Sequence, residues 1–495
     1  MSMKILMIIV LVFYAIALLF IFAYSITQAT LIYRYLKNKR RKNTNQKDLT
    51  YHPLITVQLP IYNELYVVER LIDSICQFDY PKEKLQIQVL DDSTDETFDI
   101  VKAKIEVWKS KGINIEHVHR SNRIGYKAGA LEAGLGKATG EYIAIFDSDF
   151  LPHSDFLLQT VPYFINAKVG MIQTRWGHLN RNYSILTKLQ AFGLDAHFRV
   201  EQVGRNYKDG FINFNGTAGI WRKSCIIDAG NWQPDTLTED LDLSYRAQLK
   251  DWKFLYLEDI ESPAELPPVM SALKTQQYRW TKGGAETAKK HLKSVFYSSK
   301  SLGVKWHGMI HLLNSAIFLS TFVSAILSIP LLHIKIALPE FENFFHITSL
   351  FGLSFLILLT MFFVSSAMRF KNTLSAILNL IVTFPLFLTV SMGLSLHNSI
   401  AVLEGYLGKK TPFVRTPKFN LNKNQTNLIR NKYLLPHLSW VNILELTLAF
   451  YFAYGVIKGF QYQDYGLLPF HFMLTLGFFT VFFYSLKESF TAPTT

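Results

Sequence analysis

The sequence predicts an α/β domain with a mostly parallel sheet, placed between one apolar helix near the N-terminus and a block of apolar helices near the C-terminus. Between residues 50 and 290, short apolar runs alternate with amphipathic stretches, as in a sheet whose strands are joined by helices on both faces. Residues 5–33 and several later segments are apolar over lengths that cross a bilayer. With 49% hydrophobic and 18% charged residues, the chain is too apolar for an ordinary soluble enzyme and too charged for a pure transporter.

The charge balance narrows the classes of partner. The net charge of +13 suits nucleic acid, an anionic membrane surface or phosphorylated substrates. The sequence shows no zinc-ligand spacing and no arginine-rich arm, so we expect no nucleic acid. Two distant cysteines, Cys76 and Cys225, build neither a disulfide framework nor a metal cluster and suit a reducing compartment. We therefore expect a membrane surface and a pyrophosphate-bearing substrate.

The first element is a retained transmembrane helix over residues 5–33. The segment is too long for the apolar region of a cleaved signal peptide, and no small-residue cleavage pattern follows it. A basic run comes directly after it, formed by Lys37, Lys39, Arg40, Arg41 and Lys42. Since positive charge favours the cytoplasmic side, this run places the N-terminus outside and the following domain inside.

Strands and helices then alternate. Strands are predicted at Leu54–Leu59, Gln86–Leu90, Ile113–Val118 and Glu141–Phe146, and helices at Val67–Gln77, Glu96–Lys109 and Tyr126–Leu135. In such sheets, ligands bind beyond the carboxyl ends of the strands. Two pairs of acids follow predicted strands at that edge, Asp91 with Asp92 and Asp147 with Asp149.

Apolar segments return after residue 306. Four are long enough to span a bilayer, at 308–332, 345–367, 437–458 and 464–486. The segment 374–404 is interrupted by Pro385 and polar at its far end, and the loop 405–436 after it is basic without a single acid. Because that charge bias indicates a cytoplasmic loop, we predict that 374–404 is broken, re-entrant or interfacial. We predict that residues 285–300 form an amphipathic helix at the membrane surface.

Asp147 and Asp149 follow the apolar run Tyr142–Phe146. Residues i and i+2 of a strand share one side, and two carboxylates there can hold a hard divalent cation together with substrate phosphates. The alternative is a loop that caps a helix. Asp91 and Asp92 could likewise accept hydrogen bonds from a base or ribose, or Ser93 could simply cap the next helix.

Two later motifs supply a base and a phosphate grip. Within Thr238-Glu239-Asp240 a carboxylate could act as general base for an acceptor hydroxyl, although acids after a threonine also begin a helix well. In Gln276-Gln277-Tyr278-Arg279-Trp280, the planar guanidinium can grip phosphate oxygens and the indole offers a flat face for a sugar. A tryptophan at a membrane interface is the alternative.

Smaller signals lie between these motifs. The loop 214–219 has small residues that let the backbone approach a ligand, or it is only a turn. Arg123 and Lys127 could contact a pyrophosphate, or belong to a solvated charged face. His117 and His119 alternate as in a strand, and we predict a structural role for both. Pro60, Tyr62 and Glu64 end the first strand, where an ordinary turn is the alternative.

Taken in this order, the motifs resemble those of the processive, membrane-bound family-2 glycosyltransferases, the cellulose, mannan, chitin and hyaluronan synthases. The likeness covers residues 54 to about 420. Residues 214–222, with Glu201 and Gln202 before them, are most similar to the cellulose-synthase-like mannan and glucan backbone synthases. The resemblance implies a cytoplasmic GT-A (Rossmann-like) domain combined with an α-helical transmembrane bundle.

The resemblance also implies roles for matching residues. Asp240 would be the catalytic base, and Asp147 and Asp149 would bind Mg²⁺ or Mn²⁺. Implied to bind the nucleotide sugar are Pro60, Tyr62, Glu64, Asp91, Asp92, Lys127, Asp147, Gln276, Arg279, Trp280, Thr416 and Lys418. Implied to bind the acceptor are Phe214, Asn215, Gly216, Thr217, Glu239 and Trp280. The family's gating loop often reads Phe-x-Val-Thr-x-Lys, and residues 413–418 depart from it only in having Arg415 in place of Val.

The predicted organisation is as follows. Residues 1–36 form the N-terminal transmembrane helix, 50–284 the GT-A domain, 285–306 an interfacial helix, 307–404 transmembrane or re-entrant helices, 405–436 a cytoplasmic gating-like loop and 437–487 two final transmembrane helices. The expected protein is a multi-pass enzyme of the plasma or inner membrane. It would transfer hexose from UDP-glucose or GDP-mannose, with inversion, to a β-1,4-glucan or β-1,4-mannan and couple synthesis to export.

Two other interpretations stay open. One is a non-processive enzyme of the same chemistry that adds a single sugar to a lipid. The other is a membrane transporter or scaffold whose carboxylates only cap helices. The sequence leaves undecided the donor, the linkage, the product length and the oligomeric state, and whether 374–404 crosses the membrane.

Overall fold

The computed structural model describes residues 3–39, 52–207, 210–370, 372–421, 431–434 and 438–491. Three residues of the predicted basic run, Arg40, Arg41 and Lys42, lie outside these ranges. So do residues 422–430 and 435–437 of the basic region before the last two helices.

A seven-stranded sheet forms the centre of the domain. Its strands are β1 Ile55–Ile61, β2 Leu85–Asp91, β3 Ile115–His119, β4 Tyr142–Ile145, β5 Val169–His178, β6 Gly219–Arg222 and β7 Lys253–Ala264. The order is β3-β2-β1-β4-β6-β5-β7. Only β6 runs antiparallel to its neighbours, and the other pairings are parallel. The predicted α/β fold is confirmed, and the four predicted strands correspond to β1–β4.

Helices cover the sheet and form the apolar bundle. The first nine are α1 Met3–Lys39, α2 Val68–Cys76, α3 Thr97–Ser110, α4 Tyr126–Lys137, α5 Phe156–Thr160, α6 Ile185–Ala196, α7 Gln202–Asn206, α8 Lys223–Asp228 and α9 Glu239–Leu249. The others are α10 Met270–Tyr297, α11 Leu302–Leu312, α12 Ala316–Ala337, α13 Glu342–Ser349, α14 Leu353–Ala367, α15 Thr373–Gly393, α16 Ser395–Leu407, α17 Trp440–Gln461 and α18 Leu468–Thr491. A π-helix, His197–Glu201, joins α6 to α7.

Two apolar cores lie on opposite faces of the sheet. One contains Ile55, Val57 and Leu59 of β1 with the buried sides of α2 and α3. The other contains Ile143 of β4 and continues into Phe362 and other side chains of the apolar helices. Alternate residues of one strand therefore serve different cores, because successive side chains of a strand point to opposite faces. The domain and the bundle are thus packed as one body.

The helix α10 differs from the sequence prediction. The expected boundary between a domain ending at 284 and an interfacial helix starting at 285 falls inside this continuous helix of 28 residues. Two glycines at 283 and 284 do not break it. Gly283 instead permits a close approach, since a Cβ there would lie 2.6 Å from Cγ2 of Thr238. The helix therefore carries the Gln276–Trp280 motif rigidly into the segment expected at the membrane surface.

Six helical segments of the described chain are long and apolar enough to cross a membrane, namely Met3–Asn38, Leu302–Ala337, Pro339–Ala367, Thr373–Gly393, Trp440–Gln461 and Leu468–Phe490. Ion pairs lie at two levels of the bundle. At the end next to the domain, Lys274 pairs with Glu445 at 2.8 Å. At the opposite end, Lys335 pairs with Asp464 at 2.7 Å and Lys4 with Glu340 at 2.9 Å. We call these levels the domain end and the far end of the bundle.

The segment 374–404 is divided at Leu394 into α15 and α16. α15 runs alongside α6 of the domain. The ring of Phe387 lies against Gly193, 2.8 Å from where a Cβ would stand, and Leu394 packs with Leu186 and Met270. The second half of α15 therefore stays at the domain end of the bundle.

Candidate active site

A cavity of about 170 Å³ opens at the carboxyl ends of β1 and β4. This is where ligands bind in α/β sheets. Sixteen of the residues assigned to the site from the sequence line it, namely Pro60, Tyr62, Glu64, Asp92, Lys127, Asp147, Asp149, Asn215, Gly216, Glu239, Asp240, Gln276, Arg279, Trp280, Thr416 and Lys418. Residues that span more than three hundred positions of the chain therefore meet around one space.

The carboxylates of Asp147 and Asp149 follow β4 and face this cavity. Nζ of Lys127 lies 2.6 Å from Oδ1 of Asp147, and Nζ of Lys418 lies 2.8 Å from Oδ1 of Asp149. The Asp147 side chain keeps 34% of its surface exposed to the cavity. Carboxylate oxygens are the donors that Mg²⁺ and Mn²⁺ prefer, and one or two suffice when substrate phosphates complete the shell. The donor set therefore fits such a cation.

Asp240 lies in the first turn of α9, beside Glu239. Gly216 is in the left-handed region at φ 80°, and a Cβ on it would stand 3.2 Å from Oδ2 of Asp240. Lys127 also donates to the carbonyl of Gly216 at 2.8 Å, which ties this loop to the Asp147 side. Burial, with the neighbouring Glu239, raises the pKa of Asp240 to about 7. A carboxylate with such a pKa is matched to proton abstraction near neutral pH.

The positive groups of the site stay charged. Burial opposes the charge of Lys127, but Asp147 and Glu239 outweigh it and raise its pKa. Burial lowers the pKa of Arg279, yet a guanidinium remains protonated in proteins. Both cations lie on the wall where Asp147 and Asp149 are found. They can stabilise negative charge on a diphosphate held there.

The loop after α16 is inserted over the cavity. Nη2 of Arg279 donates to Oγ1 of Thr416 at 3.0 Å, and its guanidinium lies 4.6 Å from the ring centre of Phe413. Arg415, which replaces the usual valine, forms an ion pair with Glu64 at 2.8 Å. The pKa of Glu64 is raised to about 7 by burial despite the Arg415 and Lys418 charges. Arg415, where the family pattern has valine, thus adds an ion pair between the loop and the domain.

An aromatic wall closes the side towards the bundle. The rings of Trp280 and Trp176 have centres 6.3 Å apart, and Trp176 stacks on Phe198 at 4.9 Å. Trp176 and His178, both on β5, line the cavity. The sequence interpretation named neither residue, because no strand was predicted over 169–178. Recognising the alternation of apolar residues in that stretch would have placed both at a strand end.

Three of the assigned residues do not line the cavity. Phe214, expected to line an acceptor pocket, does not face this cavity, since its ring is fully buried and lies edge-on to Trp221 with centres 5.6 Å apart. An aromatic ring gains more from this apolar core than from a wet cavity. Thr217 is also buried, and its hydroxyl accepts from the backbone N–H of Asp147 at 2.9 Å. Thr217 therefore helps to position Asp147 from the core side of the cavity wall.

Asp91 is the third. Its side chain is fully buried, accepts from the N–H of Ser93 at 2.8 Å and hydrogen-bonds His117 at 2.8 Å. Burial opposes ionisation, but these bonds lower the pKa of Asp91. Asp91, His117 and His119 place potential metal-ligand atoms within 4.8 Å of one another. The hydrogen bond between Asp91 and His117 already explains why two of these three residues are close. Asp92, by contrast, faces the cavity and is held by Nε of Arg120 at 2.7 Å.

Arg123 occupies a place that the sequence did not indicate. The sequence predicts a pyrophosphate contact or a solvated charged face for this residue. Its guanidinium lies 3.4 Å from the ring centre of Tyr62 and 5.0 Å from that of Tyr126. Both arginine and Tyr62 line the cavity, so the site offers a flat cationic stack near Asp92. Such a stack is suited to a planar ring.

Residues 52–283 match the model of a family described as "Glycosyltransferase like family 2". The chain is 42% identical over 290 residues to a probable glucomannan 4-beta-mannosyltransferase 4 of Oryza sativa subsp. japonica, covering 58% of this chain and 52% of the relative. It is 45% identical over 244 residues to glucomannan 4-beta-mannosyltransferase 9 of Arabidopsis thaliana, covering 48% and 46%. The chain thus spans about half the length of the curated relatives that it matches.

Among solved structures, the fold is similar to that of the mannosyltransferase PcManGT from Pyrobaculum calidifontis, in complex with GDP-Man and Mn2+. The two chains are 18% identical, with a TM-score of 0.54, and the match covers 80% of this chain and 100% of the other. At this identity the likeness concerns the fold alone.

Proposed function

Residues 52–283 carry a family-2 glycosyltransferase-like domain, and from that premise we propose that this chain is a mannan synthase-like enzyme that transfers a hexose, preferably mannose, from a nucleotide sugar to a growing β-linked polysaccharide. One observation carries the proposal. Asp240, the Asp147 and Asp149 pair, Arg279 and Trp280 line a single cavity of the domain. A base, a cation site, a phosphate grip and a sugar platform are what this transfer requires.

The preferred donor is GDP-mannose, with UDP-glucose as the alternative. The names of the relatives with about 42% identity contain 4-beta-mannosyltransferase, and the protein of similar fold was solved with GDP-Man. The stacked Arg123 and Tyr62 with the nearby Asp92 carboxylate suit the nucleobase end of either donor.

In the proposed reaction, Asp240 takes the proton of the acceptor hydroxyl as that oxygen attacks the anomeric carbon of the donor. The bond from this carbon to the diphosphate breaks on the opposite face, so the configuration is inverted. Lys127 and Arg279 stabilise the charge that develops on the departing diphosphate. A divalent cation bound by Asp147 and Asp149 would supply further charge neutralisation. Trp280 presents an indole face to the acceptor.

The second cavity of the described structure supports processive synthesis coupled to export. It has a volume of about 920 Å³ and lies within the helical bundle. Leu194, Gln276 and Trp280 line both cavities, while Lys335 and Asp464 of the far end also line the second one. A glycan elongated at Asp240 therefore has an interior route that begins beside Trp280.

For the membrane, we propose five crossings with the catalytic domain in the cytoplasm. The loop 409–421 contacts the active site, so it lies on the domain's side. If α15 crossed fully, α16 with 13 residues would have to return over about 20 Å, which is less than the ~30 Å hydrocarbon core. Because α15 also follows α6, we place it in the membrane plane. α1, residues 302–337 and 339–367, α17 and α18 are the proposed crossings.

The experiment uses the purified protein in detergent or nanodiscs with labelled GDP-mannose or UDP-glucose, with Mn²⁺ or Mg²⁺. The expected product is a long chain made from GDP-mannose that β-mannanase degrades and β-glucanase does not. Asp240→Asn keeps the size of the side chain and removes the base. We expect it to lower the rate by roughly 10²–10⁴-fold, the usual contribution of general-base catalysis. An Asp240→Asn protein that makes polymer at the original rate would remove Asp240 from this role.

A further inference from the structure

The second cavity has a polar patch directly behind the aromatic wall of the active site. Its residues come from α1 and the π-helix, namely Gln28, His197 and Glu201. Trp280, which also faces the first cavity, lines the same space. The rings of His197 and Phe198 have centres 4.9 Å apart, and Phe198 belongs to the stack that reaches Trp280 through Trp176, so the patch adjoins the position proposed for the terminal sugar of the acceptor. We call these three residues, Gln28, His197 and Glu201, the patch.

The π-helix explains how two of these side chains converge. His197 and Glu201 are four residues apart within it, and Nδ1 of His197 lies 2.9 Å from Oε2 of Glu201. Arg205 donates to the same oxygen at 3.1 Å. Burial opposes ionisation, but Arg205, His197 and Gln28 together lower the pKa of Glu201 to about 2. Single π-turns within helices often mark functional positions.

The patch is connected to the catalytic side. Nε2 of His197 lies 3.5 Å from Nδ2 of Asn215, and Asn215 lines the first cavity next to Gly216. Gln202 donates to Oδ1 of Asn215 at 2.8 Å. A single hydrogen-bonded path of side chains thus runs from the patch to the loop beside Asp240.

Several polar atoms around the second cavity lack a partner within the described residues. These include Oε1 of Gln28 and Oδ1 of Asn398. Their side chains are only 2% and 1% exposed, and both residues line the cavity. A buried oxygen without a hydrogen bond costs roughly 1–3 kcal/mol, so such atoms point to a ligand that donates hydrogen bonds. Sugar hydroxyl groups do so around the whole edge of a hexose ring.

We propose that Gln28, His197 and Glu201 form a binding site for the second sugar unit of the acceptor chain. The inference rests on the proposed function and names a subsite of it. Oxygens of Gln28 and Glu201 accept from hydroxyl groups on the edge of that sugar, while Trp280 holds the terminal unit. A bound second unit fixes the terminal hydroxyl opposite Asp240 and keeps the chain in place between successive transfers.

The test compares two variants with two matched controls. Gln28→Met removes the acceptor oxygen without breaking the pair of Glu201 with Arg205, and Glu201→Gln removes the charge. The control for the first is Thr27→Val on the same helix, which loses a bond from Trp306 at 3.0 Å away from the cavity. The control for the second is Glu445→Gln, a fully buried carboxylate paired with Lys274.

Binding is measured directly by tryptophan fluorescence with β-1,4-mannohexaose, β-1,4-mannobiose and mannose, and product length is measured with GDP-mannose. Gln28→Met is expected to weaken hexaose and biose binding by about 3–10-fold and Glu201→Gln by about 10–100-fold, the range for neutral and charged hydrogen bonds. Mannose binding and the KM for the donor stay unchanged, and the products are shorter. The controls bind as the unaltered protein does.

Equal hexaose binding by Gln28→Met and Thr27→Val would overturn the site, as would an equal loss for mannose and hexaose. If cellohexaose alone binds and is sensitive to Gln28→Met, the site stands and the preference for mannan falls. The protein could turn over no donor while both variants still weaken hexaose binding. That result would contradict the proposed function and leave the subsite supported. Binding does not depend on turnover, so the two failures are distinguishable.

Discussion

Replacing Gly216 with alanine should slow transfer by displacing the base and not by unfolding the protein. Gly216 has a φ of 80°, where an L side chain costs about 1–2 kcal/mol. The added Cβ would also stand 3.2 Å from Oδ2 of Asp240 and 3.4 Å from Nζ of Lys127. The contact with Asp240 is tighter than ordinary packing, and the contact with Lys127 lies at its limit. The Asp240 carboxylate must therefore shift by some tenths of an ångström. A misplacement of about 1 Å costs about 10²-fold in rate.

Gly112 provides the matched control for the backbone. Its φ is 75°, and a Cβ there would meet nothing within 4 Å. Gly112→Ala and Gly216→Ala should therefore lower thermal stability by similar amounts. Only Gly216→Ala should lower kcat for transfer from GDP-mannose, by roughly 10–100-fold. If both variants lose activity equally, or if Gly216→Ala retains its rate, the placement of Asp240 at the reacting hydroxyl is refuted.

Three further predictions follow from charges around the cavity. Because burial raises the pKa of Asp240 to about 7 and the base acts deprotonated, kcat/KM should fall about tenfold per pH unit below 7 and level off above it; a profile flat down to pH 5 would contradict this. Chelation should abolish transfer and Mn²⁺ should restore it, whereas Asp147→Asn should need a higher Mn²⁺ concentration for half-maximal rate, and an unchanged metal titration would exclude Asp147 as ligand. Arg415→Val should retain some activity but raise the KM for the donor about tenfold, since Glu64 can take up a proton when its partner is lost. Combining it with Glu64→Gln should add little to that loss, and full additivity in the double-mutant cycle would show that the pair at 2.8 Å does not hold the loop.

Much of the site was predictable because its parts are local motifs at strand and helix ends. Asp147 and Asp149 follow a fully buried strand, so their position at the carboxyl edge of a parallel sheet follows from the pattern. Asp240 follows a threonine at the start of a helix. The choice between a cap and a base could not be made from sequence, because it depends on which side chains face the same space. The roles of these residues stay predictions until the variants above are measured.

Two residues of the 214–219 loop lie behind the wall of the cavity. Phe214 and Thr217 belong to a motif that borders the cavity, yet both are buried in the core behind it, and only Asn215 and Gly216 between them line its wall. Sequence identifies such a motif as a unit and does not say which members face inward. The sequence did not indicate Trp176 and His178, because their strand of 10 residues contains no recognisable motif. That strand runs from the core to the cavity.

By itself, the sequence determined the classes of the elements: a sheet with alternating helices, apolar helices before and after it, and the order of the charged motifs. These follow from hydrophobic periodicity and from the residues that end strands and helices, which are properties of neighbours along the chain. Only the tertiary structure decided that α10 is continuous through Gly283, that α15 lies along α6, and that Arg415 pairs with Glu64 across 351 positions of the chain. Those outcomes depend on packing and charge between distant segments, whose free energy is fixed only when the chain has folded.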